Sequence, residues 1–119
     1  MNYELTKAEE QVMQVLWELN ESFVKELVEK FPDPKPAYNT VSTIIRILEK
    51  KGFVGHKAFG RTFQYYPLVT KDQYLKSSTE HLTKNYFNGS VNQFLSFFVK
   101  EKNVSLEEIE KIINEIQKT

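Results

Sequence analysis

Seven side chains in one stretch of the chain have the chemistry to hold a nucleic acid. Asn39, Thr43, Arg46 and Lys50 recur at three- and four-residue spacing, with Thr40 on their flank. On a helix that spacing places them on one face. Amide, hydroxyl, guanidinium and ammonium groups in such a row offer donors and acceptors suited to base edges and phosphate oxygens. Lys57 and Arg61 follow on a predicted hairpin, Arg61 beside Gly60 at its tip. A cation there can reach a neighbouring phosphate or a minor groove. Two blander readings stand beside this one: an ordinary polar outer face, and exposed cations that discourage pairing at a sheet edge.

The distribution of charge favours the first reading. The 119 residues carry a formal net charge of zero, which counts weakly against a nucleic-acid binder. Yet residues 1–34 hold three lysines against eight acids, a balance of −5. Residues 35–61 hold Lys35, Arg46, Lys50, Lys51, Lys57 and Arg61 against Glu49 alone, a balance of +5. The remainder holds seven of each sign. The positive excess therefore lies in the stretch that carries the candidate site.

Other chemistries find little support. With Cys 0, disulfides, thiolate zinc sites and cysteine nucleophiles are excluded together. His56 and His81 have no cysteine or carboxylate at metal-site spacing. Gly52, Gly55, Gly60 and Gly89 are scattered rather than gathered into a phosphate-binding loop. No catalytic residue, no metal and no cofactor is expected, and the chain is not read as an enzyme. The opening MNYELTKAEEQ has no apolar core of a signal peptide. No apolar run approaches the roughly 18 residues of a membrane span. The expectation is a cytoplasmic protein without membrane insertion.

Stepping outward, the elements around the site follow from pattern. Thr6 to Glu9 is a capping box opening helix 1, about 7–20, with Ala8, Val12, Val15, Leu16 and Leu19 as its apolar stripe. Ser22 is the expected N-cap of helix 2, about 23–31, whose Val24, Leu27, Val28 and Phe31 face inward. Pro32, Pro34 and Pro36 end it and make the turn. Helix 3, about 38–51 with Asn39 or Thr40 near its cap, turns Val41, Ile44, Ile45 and Leu48 toward the core and stops at Gly52. Aromatic-rich runs at 53–59 and 62–68 read as two strands joined at Gly60-Arg61. The fold class expected is mainly α with a small β-hairpin, a winged helix-turn-helix over residues 1–69.

Residues 70–119 read as three helices. Thr70 caps helix 4, about 71–87; Asn88-Gly89-Ser90 breaks it; helix 5 covers about 91–100; Ser105 to Glu108 boxes helix 6, about 106–118. Their apolar faces have no partner left in the chain, and so short a stretch rarely builds a sufficient core alone. A second copy is the expected partner, through Leu82, Phe94, Phe97, Phe98, Leu106, Ile109, Ile113 and Ile116. A twofold dimer would also set two recognition helices on two half-sites of a palindromic operator.

Three motifs carry a resemblance. LTKAEEQVMQVLW (5–17), YNTVSTIIRILEKKGFV (38–54) and GRTFQYYPLV (60–69) resemble the penicillinase and methicillin-resistance repressors, the BlaI/MecI/CopY family. The resemblance spans the first 70 residues, and the tail has the family's size and helix count. It implies a homodimeric winged-helix transcriptional repressor that binds double-stranded operator DNA of dyad symmetry. In the penicillinase branch it further implies relief through a membrane sensor-protease pathway that leads to cleavage in the C-terminal region. The copper branch senses metal through cysteines, which this chain lacks.

Two departures stand out. The family usually has Arg where this chain has Ile47, and Lys is common where Asn39 stands. The family's Asn-Phe scissile pair corresponds here to Phe97-Phe98, the candidate cleavage position. The alternative function is a winged-helix protein-interaction module without sequence-specific DNA binding, for which the neutral net charge speaks.

Overall fold

Thr6 opens the first helix by reciprocal capping: its Oγ1 accepts from the Glu9 amide at 3.2 Å, and its own amide donates to Glu9 Oε1 at 2.9 Å. The computed structural model describes residues 4–118. Met1–Tyr3, the first residues of the stretch read as lacking a signal peptide, and the terminal Thr119 lie outside it. The elements are α1 (Lys7–Leu19), β1 (Ser22–Phe23), α2 (Val24–Lys30), α3 (Tyr38–Lys50), β2 (Val54–Phe59), β3 (Thr62–Pro67), α4 (Lys71–Tyr86), α5 (Val91–Lys102) and α6 (Leu106–Gln117). The chain forms two compact units, one through Ser78 and one from Thr79, so the division falls inside α4.

In the first unit α1, α2 and α3 enclose Val12, Met13, Leu16, Leu27, Val41, Ile45 and Leu48, and Phe53, Val54, Tyr65 and Val69 close the core from the sheet side. Burying each of the larger side chains contributes about 1.5–3 kcal/mol. Trp17 anchors the far end. Its indole N–H donates to the Val69 carbonyl at 2.9 Å, and its ring meets Tyr74 of α4 at 5.6 Å. Tyr74 in turn donates its hydroxyl to Glu10 at 2.8 Å. Burial pushes the Tyr74 hydroxyl pKa up, and the Glu10 carboxylate adds to the rise.

The sheet has three antiparallel strands in the order β1-β3-β2, one more than the hairpin read from sequence. Ser22 is therefore not a helix cap. It is buried in β1, pairs with Tyr65, and donates its hydroxyl to the Phe23 carbonyl at 2.8 Å. Phe23 is the N-cap of α2, its amide held by Glu26 Oε1 at 3.0 Å. The cap of α3 likewise shifts from Asn39 or Thr40 to Ala37, without a side-chain bond, because the chain leaves the proline turn extended at that residue. On α1, Ala8 is exposed and Glu9 is buried in its place, held by Thr6 and Lys51. On α3, Ile44 is half-buried while Ser42 is buried; its hydroxyl has a partner in Arg46.

The hairpin is shaped by two glycines. Gly60 has φ +63° at the first position of the two-residue turn, a conformation a side chain resists. Gly55 pairs with Tyr66, and a Cβ on Gly55 would lie 2.8 Å from the Tyr66 hydroxyl. The absent side chain lets that ring lie across the strand, where Lys57 Nζ sits 5.7 Å from its centroid.

The second unit has a thinner interior. Phe87 packs edge-on against Phe94 at 5.5 Å and lies 5.6 Å from Phe97. Thr83 is buried and donates its hydroxyl to the Thr79 carbonyl at 2.6 Å. Asn88 and Gly89 both take positive φ and break the chain between α4 and α5, and Asn103 does the same after α5. Neither α5 nor α6 holds a buried residue.

Candidate nucleic-acid interface

All seven predicted contact residues are solvent-exposed: Asn39, Thr40, Thr43, Arg46 and Lys50 on α3, Lys57 on β2 and Arg61 at the hairpin tip. The fold brings helix and hairpin together. Arg46 and Arg61 line one cleft of about 490 Å³, with Tyr38, Ser42, Phe63 and Tyr65 among its walls. Val24, Lys25 and Glu26 at the start of α2 complete it. Lys25 is thus a further cation at the site that its own helix pattern does not reveal. A cleft lined by two arginines and a lysine against one glutamate, with aromatic side chains in its walls, suits a strand of phosphates and sugar edges.

The side chains differ in readiness. Thr43 donates its hydroxyl to the Asn39 carbonyl at 2.9 Å, leaving its methyl and lone pairs outward. Arg46 is steadied by a 3.2 Å bond to the Ser42 hydroxyl, which leaves most of its five donors unused. Among the described residues, no carboxylate lies within ion-pair reach of Lys50 or Arg61. Lys57 is 3.9 Å from Glu21, an exposed pair of little energetic weight. Ile47 is 40% exposed at the edge of this face.

Three charges in the basic stretch have structural uses. Lys35 caps α2, donating to the Glu29 and Phe31 carbonyls at 2.7 and 2.8 Å. Lys51 bonds the buried Glu9 at 2.7 Å. Burial raises the Glu9 pKa, but the Lys51 ammonium and the Thr6 cap outweigh it, and the carboxyl sits below the usual carboxylate range. Glu49 of α3 is joined to His56 Nδ1 of β2. The His56 ring stacks on Phe63 at 4.3 Å. Burial pushes the neighbouring Tyr65 hydroxyl pKa up, Glu49 adds to the rise, and Arg46 opposes it.

In the second unit the residues expected at a subunit contact divide. Phe97, Phe98, Leu106 and Ile113 are exposed, as are Leu82 and Ile116, whereas Phe94 and Ile109 are half-buried. Phe97 and Phe98 both lie within α5. Among the described residues no helix is long and apolar enough to cross a membrane, and no group of His, Asp and Glu is arranged to hold a metal ion.

A three-helix core with a hairpin beside the third helix defines a winged helix-turn-helix. The chain belongs to the penicillinase repressor family, a family of winged-helix DNA-binding repressors, whose model matches residues 5–118. It is 29% identical over 117 residues to the methicillin resistance regulatory protein MecI of Staphylococcus aureus (strain N315), covering 98% of this chain and 95% of that protein. It is 26% identical over 110 residues to the penicillinase repressor of Bacillus licheniformis, covering 92% and 86% of the two chains. Among solved structures it resembles the DNA-binding domain of the repressor BlaI, with a TM-score of 0.52 and 28% identity over 60% of this chain and 88% of that one.

Proposed function

We propose that the chain is a cytoplasmic transcriptional repressor, without catalytic activity, that binds a double-stranded DNA operator of dyad symmetry as a homodimer. Residues 1–69 form the DNA-binding part and residues 70–119 the dimerisation part. The observation that carries the reading is the convergence of Arg46 from α3 and Arg61 from the wing on one cleft. Helix α3 enters the major groove with Asn39, Thr40, Thr43 and Arg46 toward base edges. Lys50, Lys57 and Arg61 take the backbone, and Arg61 has the reach for the minor groove. The exposed Phe97, Phe98, Leu106 and Ile113 support the pairing of two chains. Pairing doubles the phosphate contacts of a small basic patch.

Repression is relieved, in the same proposal, through a membrane sensor-protease pathway. A cut between Phe97 and Phe98 would sever α6 and the end of α5 from the rest, and α5 must open locally before a protease can take that bond.

The test uses duplexes from upstream of the chain's own gene. Arg46→Ala should cost about 1–3 kcal/mol of discrimination between the specific and a scrambled duplex. Lys57→Ala should weaken both duplexes evenly and flatten the salt dependence. Binding indifferent to both substitutions would refute the assignment.

A further inference from the structure

Glu49 is the one carboxylate among residues 35–61, and it sits on the helix proposed to enter DNA, one turn beyond Arg46. A fixed negative charge there opposes phosphate. The structure gives it a partner across the helix-to-wing junction, the imidazole of His56. We propose that His56 and Glu49 form a proton-controlled clamp that joins the wing to α3 and sets the charge of the DNA-facing surface. This rests on the DNA-binding reading above and names His56 as a positioning residue within it.

The geometry confines the imidazole. One face stacks on Phe63 at 4.3 Å with 26° between the planes, and Tyr65 lies 5.9 Å away at a tilt. Nδ1 is directed at the Glu49 carboxylate. The charged and titratable groups around the pair are Glu49, Arg46 and Tyr38 of α3 and Tyr65 of β3, whose hydroxyl feels all three; Lys57, next along β2, is turned to the Tyr66 ring and Glu21. Both members are about one-third exposed, His56 at 34% and Glu49 at 32% of their side chains. Protons and counterions therefore reach them.

The consequence is a signed one. With the imidazole neutral, Glu49 keeps its full negative charge beside the phosphates. With the imidazole protonated, the pair is neutral overall and the clamp becomes an ion pair. A phosphate backbone prefers the second state, so DNA binding takes up a proton and affinity rises as pH falls. Histidine is the side chain whose charge commonly changes near neutral pH, so the experiment below brackets that range. An exposed ion pair's coupling corresponds to about two- to fivefold in affinity for each protomer.

The experiment measures anisotropy of a labelled upstream duplex from pH 8 to pH 6 at fixed ionic strength, beside an NMR titration of the His56 ring in the free protein. The wild type should bind about two- to fivefold more tightly per protomer at pH 6. His56→Gln should be flat with pH. Glu49→Gln should bind more tightly than wild type at pH 8. His81→Gln should keep the wild-type slope. Wild-type affinity that ignores pH overturns the clamp and leaves DNA binding intact, as does a wild-type slope retained by His56→Gln. Absence of salt-sensitive binding at every pH overturns both.

Discussion

In the first compact unit Met13, Leu16, Leu27, Ile45, Leu48 and Phe53 are closed to solvent, whereas in the second Leu106, Phe97 and Phe98 stand 71%, 56% and 47% exposed. Both units contain helices opened by a capping hydroxyl, Thr6 in the first and Ser90 and Ser105 in the second. What differs is cover. The first has three helices and a sheet to enclose its apolar side chains, and the second has the Phe87, Phe94 and Phe97 cluster with little around it. A unit whose core is complete can present a polar surface to a ligand without losing its fold. A unit whose apolar faces remain outward gains stability from another surface, and the proposed second chain supplies it.

The largest expected effect that sharpens this contrast is on the closed core. Phe53→Ala should destabilise by about 3–5 kcal/mol, read by chemical denaturation, with a cost that does not change with protein concentration. Ile113→Asp should act in the opposite way. Its cost should appear as a melting temperature that no longer rises with concentration, since mass action links subunit pairing to stability. Sedimentation would then show a smaller species. A concentration-independent wild type would break the comparison.

An intermediate effect tests the Glu9–Lys51 pair, which fastens the end of α3 to α1. Lys51→Met leaves a buried carboxylate with one partner fewer and should cost about 1–3 kcal/mol near pH 7. The Glu9 pKa is depressed in the folded state, so its contribution is present above the usual carboxylate range and is lost as pH falls through the folded value. The gap between wild type and Glu9→Gln should accordingly shrink in acid. The smallest effect belongs to a cap: Ser105→Ala removes the hydroxyl that accepts from the Glu108 amide at 3.2 Å and should cost about 1 kcal/mol.

Much of the fold is legible in the sequence because its signals are local. Capping residues, proline runs and helical stripes place every helix to within two residues at either end. The two-residue β1 is too short to show alternation. Its Ser22 also mimics a cap, standing just before an apolar period, while its pairing with Tyr65 is long-range. The candidate site is legible only as a set of polar residues that the structure finds exposed, since polar spacing on a helix is local too. The cleft was not. It needs α2, α3 and the wing at once, which is why Lys25 and the His56–Glu49 pair escape a reading by spacing. Nor does spacing show that Lys35 and Lys51, which add to the basic excess, turn their ammonium groups to a helix end and a buried acid.

In the proposed repressor the first unit reads DNA and the second unit presents it twice. The most direct measurement is a salt series of equilibrium binding to the upstream duplex, with the mass of the complex determined in the same solutions. The account predicts two chains per dyad site, an affinity that falls steeply with salt, and a shallower salt slope for Ile113→Asp. A complex of one chain per site, or no salt-sensitive binding at micromolar dimer, would contradict it.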